Sequence, residues 1–118
     1  IISLLTVKHW NSAYPWSAQS KTALAAGLSE DIIQAINDDD VPPFVTDEDA
    51  AIYEMVKELL DTGNLTKASF TKATQLLGHK KMSEIIHTIG HFTATGMMAN
   101  MVGCTPPDDA VSLLKPRN

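Results

Sequence analysis

A single cysteine, Cys104, stands in the 118 residues of this chain. One thiol makes no internal disulfide and no Cys-x-x-Cys redox pair, so nothing in the sequence asks for an oxidising compartment. It reads as a small buried or partly buried thiol near a helix end. Basic clusters are missing too. The nine Lys and Arg are scattered, Lys80-Lys81 is the one adjacent pair, and the net charge is −5. A phosphate-backbone binder needs clustered cations, which argues against nucleic acid as a partner. No apolar run reaches the ~20 residues of a membrane span. The opening IISLLTVKHW has neither a charged n-region nor a small-residue cleavage site. No membrane partner is expected, and the cytoplasm is the expected location. The acidic run Asn37-Asp38-Asp39-Asp40 lacks the alternating ligands, central Gly and closing Glu of a calcium loop, and reads as a solvated turn. His87 and His91 are spaced to share one helical face, but no third ligand or acidic partner stands near them in sequence. No metal and no cofactor are expected.

What is present points to helices. A chain of this length is one domain, residues 1–118, and 44% apolar residues suffice for one core. The charged share of 19% is a little low, which suits a domain that hides part of its surface against copies of itself. Ile1 to His9 carries five aliphatics and fits a buried helix or a strand; the helical remainder favours a helix. A second helix covers Ala13 to Ala26, with Pro15 in its first turn, where a missing N–H costs nothing. Ser29 caps a short third helix with Ile32, Ile33 and Ile36 inward. Val41 to Val45 is an extended connector whose Phe44 and Val45 pack onto the body. Thr46 caps an amphipathic helix stopped by Gly63. A fifth helix runs to Leu77 with Phe70, Ala73, Leu76 and Leu77 inward. The longest, Lys80 to Val102, is apolar on more than one side and therefore central or at an interface. Ala110 to Leu114 reads as a short docked turn. The expectation is an all-α, single-domain bundle of about six helices, organised around His9 to Ala35.

The run Trp10-Asn11-Ser12-Ala13-Tyr14-Pro15-Trp16, then Ala23 to Ser29 and on to Ile33, resembles the carboxymuconolactone decarboxylase family. The later order is similar as well: the amphipathic helix from Thr46, then TGNLTKASFTKATQLLGHKKMSEIIHTIGHFTATGMMANMVG. The resemblance covers nearly the whole chain and rests on the joint order of its pieces. It implies the alkylhydroperoxidase-D-like fold and a homotrimer or homohexamer. It also implies either cofactor-free decarboxylation of 4-carboxymuconolactone or, in a second branch, thiol-dependent peroxidase chemistry.

The departures from that pattern fall where the chemistry belongs. Counted back from Gly27, the Cys, Cys and His positions of the thiol branch hold Ser12, Pro15 and Gln19. Peroxidase chemistry therefore has no nucleophile there. In the decarboxylase-like branch, Pro15 replaces the usual Glu, and Ala18 and Gln19 stand at the histidine places. Loss of CO₂ needs a sink for negative charge and a proton donor. Gln19 hydrogen-bonds but does not titrate. The candidates for proton transfer are His91, just after Gly90 on the long helix, and His9, beside Trp10; a structural, hydrogen-bonded role is the alternative for each. Trp16, Gln19 and Tyr14 are the candidate substrate-positioning residues. Two functions follow. One is a lyase acting on a small carboxylated lactone or related acid. The other is a repurposed member that binds a small molecule without turnover.

Overall fold

The computed structural model describes residues 1–117 and contains five α-helices, with no strand among the described residues. They are α1 (Ile2–His9), α2 (Ala13–Ala25), α3 (Glu30–Asn37), α4 (Asp47–Thr62) and α5 (Lys67–Val102).

Three helices start on hydroxyl caps, two of them, Ser29 and Thr46, as expected from the sequence. Ser29 Oγ accepts from the Asp31 amide, Thr46 Oγ1 from Asp49 and Thr66 Oγ1 from Ser69, each at 3.1 Å. Each bond satisfies one of the donors that a helix start leaves open. Acidic residues follow in the first turns of α3 and α4, where the helix dipole favours them.

The two helices expected after Asn64 are one element with a break. Gly78 has φ +81° and ψ 160°, outside the helical region, and splits α5 into a short arm and a long one without an intervening loop. An L side chain is strained at that φ, so glycine is what lets the chain turn there. The six expected helical segments are therefore present, the last two joined.

The centre of the bundle is α1, not the segment from His9 to Ala35. It packs against all four other helices. Leu4, Leu5, Thr6, Val7 and Lys8 are consecutive and all buried. A helix enclosed on every side shows no amphipathic period, which is why the apolar spacing could not separate helix from strand. Around it stand Trp16, Ile32, Ile33, Ile36, Met55, Val56, Met82 and Ile85. Each such aliphatic or aromatic side chain contributes roughly 1.5–3 kcal/mol on burial.

The other departures concern which side chains face in. Phe70 and Leu76 are half exposed, and Val45 is almost fully so, whereas Phe44 does pack against Tyr53 with ring centroids 5.4 Å apart. Cys104 is exposed rather than buried. Ala110 to Leu114 forms no helical turn; the tail lies extended across α1, α2 and α3. Asn37 explains why. Its Nδ2 donates to the Leu113 carbonyl at 2.9 Å, and its Oδ1 accepts from the Lys115 amide at 2.8 Å. Lys8, its side chain 5% exposed, donates to the Asn37 carbonyl at 2.7 Å and also to the Lys115 carbonyl. Side chains from helices thus satisfy the tail's backbone and remove the need for a turn of its own.

Candidate functional site

The residues singled out from sequence do not share one place. Tyr14 and Gln19, on the outer face of α2, line an open groove of about 350 Å³ whose other wall is the end of α5. Met98, Met101, Val102 and Cys104 form most of that wall. The groove exists because the start of α2 is pinned to α5. Ser12 Oγ lies 2.9 Å from the Gly96 carbonyl and 3.1 Å from the Asn100 side-chain oxygen. Asn100 Nδ2 in turn donates to the Trp10 carbonyl at 2.8 Å. Trp10 Nε1 completes the join by donating to Thr93 Oγ1 at 3.1 Å.

Trp16 does not reach the groove. It is wholly buried, and its indole N–H donates to Ser112 Oγ at 3.0 Å. Successive residues on a helix point about 100° apart, so Trp16, two positions on, turns inward where Tyr14 turns outward, and Gln19 lies between the two directions at the edge of the groove. Sequence proximity grouped the three, and helix geometry divides them.

Neither candidate histidine lines the groove. His91 is exposed on α5, its ring edge-on to Phe92 with centroids 4.9 Å apart. His9 is half-buried at the end of α1 and stands in a second, much tighter cleft. Lys8, Tyr53, Lys57, Asp39, Asp40 and Arg117 share that cleft, which has room for about one water (~20 Å³). Arg117 Nε donates to the His9 carbonyl at 2.5 Å, so the tail lies over the cleft. Sequence reasoning missed Lys8, Tyr53, Lys57 and Arg117. Their common location depends on α1, α4 and the tail meeting, which no local pattern signals.

The electrostatics of the cleft are defined. Burial holds the His9 imidazole below its usual pKa, and the positive charges of Arg117 and Lys57 push the same way, against the pull of Asp61. Burial likewise lowers the Lys8 ammonium, with Asp39, 3.7 Å away, acting in the opposite sense. The Tyr53 hydroxyl is raised, by burial first and then by nearby carboxylates. Chemically, the cleft offers an imidazole among three basic and two acidic side chains. The groove offers an apolar wall, a phenol, an amide and a thiol.

The thiol-branch positions hold no nucleophile in space either. Ser12 is buried and engaged with Gly96, and Pro15 is buried. Cys104 is the chain's one sulfhydryl and has no second thiol to resolve a sulfenic acid. Among the described residues, no cluster of three or more His, Cys, Asp or Glu side chains is placed to hold a metal ion. No helix among the described residues is long and apolar enough to cross a membrane.

No protein-family model matches the chain, and no curated protein matches it significantly.

Proposed function

We propose that the chain is a carboxymuconolactone decarboxylase-like protein of the alkylhydroperoxidase-D-like type. It would be a cofactor-free lyase that self-associates, as a trimer or hexamer, in the cytoplasm, and takes a small carboxylated lactone or related acid in the groove between α2 and α5. The observation that carries this proposal is the placement of Tyr14 and Gln19. Both come from the segment that bears the family resemblance, and both face one groove of ligand size. Gln19 supplies an amide to a carboxylate or carbonyl, and Tyr14 supplies a hydroxyl, against a wall that suits an unsaturated ring. In the reaction the ring carbon–carboxylate bond breaks, CO₂ leaves with neither electron of that bond, and the electron pair passes into the conjugated lactone before a proton quenches it. His9 or His91 would deliver that proton.

One observation favours a second reading, in which binding has outlasted the chemistry. His9 and His91 both lie off the groove, and its ionisable groups are the Tyr14 phenol and the Cys104 thiol. Turnover of 4-carboxymuconolactone by the purified protein, followed as substrate loss and CO₂ release, decides between the two. Turnover that falls in His9→Ala or His91→Ala supports the lyase. Binding without turnover supports the repurposed member. Neither binding nor turnover refutes both.

A further inference from the structure

The long arm of α5 has a surface at odds with exposure to water. From Ile85 to Pro107 the chain contains no Asp, Glu, Lys or Arg. One face of this arm packs on the bundle through Met82, Ile85 and Gly96. A second face is open. Ile86 and Met97 are each 47% exposed, and Met101 is 78% exposed. With Gly90 and Ala94, which are also exposed, they fall within about 80° of arc on a helix of 3.6 residues per turn. The stripe is about 22 Å long.

One further observation bears on this face and another on the chain's surface as a whole. The first is Gly90. It sits in regular helix, where glycine costs ~1 kcal/mol against alanine. A Cβ placed there would meet nothing within 4 Å, so no contact within the chain requires the glycine. Gly96, in contrast, is required by Ser12, whose Oγ would lie 2.7 Å from a Cβ. The second is total area. The chain exposes 6908 Å². A monomer of its mass, 12.8 kDa, typically exposes about 6,300 Å².

We propose that a second copy of this chain covers the stripe, the two long arms pairing antiparallel about a two-fold axis beside Ala94. The stripe is self-complementary in that arrangement. Ile86 of one copy lies opposite Met101 of the other, so the second copy borders the groove that Met101 also lines, and Met97 fits over Gly90, a large side chain against the absent one. Ala94 lets the backbones approach at the axis. An interface of this symmetry uses the same patch on both copies, which is what this spacing of large and small residues provides. With no charge on the face, none is stranded when water leaves it. The pairing rests on the self-association proposed above in its hexameric form, where two-fold axes join two trimers, and is independent of the lyase chemistry.

The test uses the full chain in sedimentation equilibrium, with two variants. Met97→Glu changes a half-exposed residue and should leave the helical circular dichroism intact while halving the mass of the assembly at equal concentration. Ala94→Cys in a Cys104→Ser background should form a covalent dimer on mild oxidation. An assembly that neither variant alters overturns this pairing and leaves self-association through another face standing. A wild-type chain that stays monomeric at the highest concentration reached overturns both. So does a monomer that instead binds lipid vesicles.

Discussion

The Ser12 hydroxyl donates to the Gly96 carbonyl across 2.9 Å, joining residues 84 positions apart in the chain. The same contact leaves no room for a side chain at position 96. Gly96→Ala should therefore destabilise the fold by about 1–3 kcal/mol, the usual cost of forcing an extra carbon into packed surroundings. Urea denaturation measures this directly. An unchanged midpoint would mean that α2 and α5 are not pinned here, and the groove between them would lose its physical basis.

The tail should come loose when its side-chain partners are removed. Asn37→Ala deletes a donor to Leu113 and an acceptor for Lys115. Lys8→Met deletes the donor to the Asn37 and Lys115 carbonyls. Each substitution leaves buried or partly buried backbone groups without partners, at a cost of about 1 kcal/mol. Hydrogen exchange at the Lys115 amide should accelerate in both variants, most in Asn37→Ala, where its acceptor is gone. Slow exchange retained in Asn37→Ala would show that the tail is held by something else.

Acid should weaken the fold through His9. Its folded pKa lies below the usual 6.5, so the unfolded chain binds the proton more readily than the native one. The stabilisation from the neutral ring is present in full above pH 6.5 and is lost as pH falls from there through the lowered value. His9→Gln, which does not titrate, should flatten this part of the stability profile. Denaturation midpoints for both proteins between pH 7.5 and pH 5 (roughly the histidine range) supply the comparison. Parallel curves would remove His9 from the account.

The groove should be detectable through Cys104. The thiol is exposed and lines it, so a disulfide reagent should label it to completion without denaturant. A groove ligand should slow that labelling. Gln19→Ala should weaken such a ligand roughly fivefold, the worth of one hydrogen bond of about 1 kcal/mol. Protection of Cys104 that is indifferent to Gln19 would place the ligand elsewhere.

Where two of the helices begin was legible, since Ser29 and Thr46 carry their caps as local sequence. So was the all-α class. Which face a residue presents was less so. Trp16 stands two positions from Tyr14 yet points the other way, and Phe70 and Leu76 fit an inward period without being fully enclosed. Lys8 defeats hydropathy for a definite reason. A lysine is buried only where acceptors surround it, and its acceptors lie 29 and 107 residues away. The His9 cleft was hidden in the same way, because α1, α4 and the tail contribute to it together. Tyr14 and Gln19 could be grouped correctly because one helix carries both.

The placement of α1 at the centre of the bundle governs how the chain is made. Its residues leave the ribosome ahead of every helix that covers them. Leu4, Leu5 and Val7 find no lasting shelter until the long arm of α5 has emerged, and the partners of Lys8 include a carbonyl 107 residues further on. Folding in order of synthesis is closed to this topology. The nascent chain carries an unsatisfied apolar segment until residues about a hundred positions further on emerge to complete its surroundings.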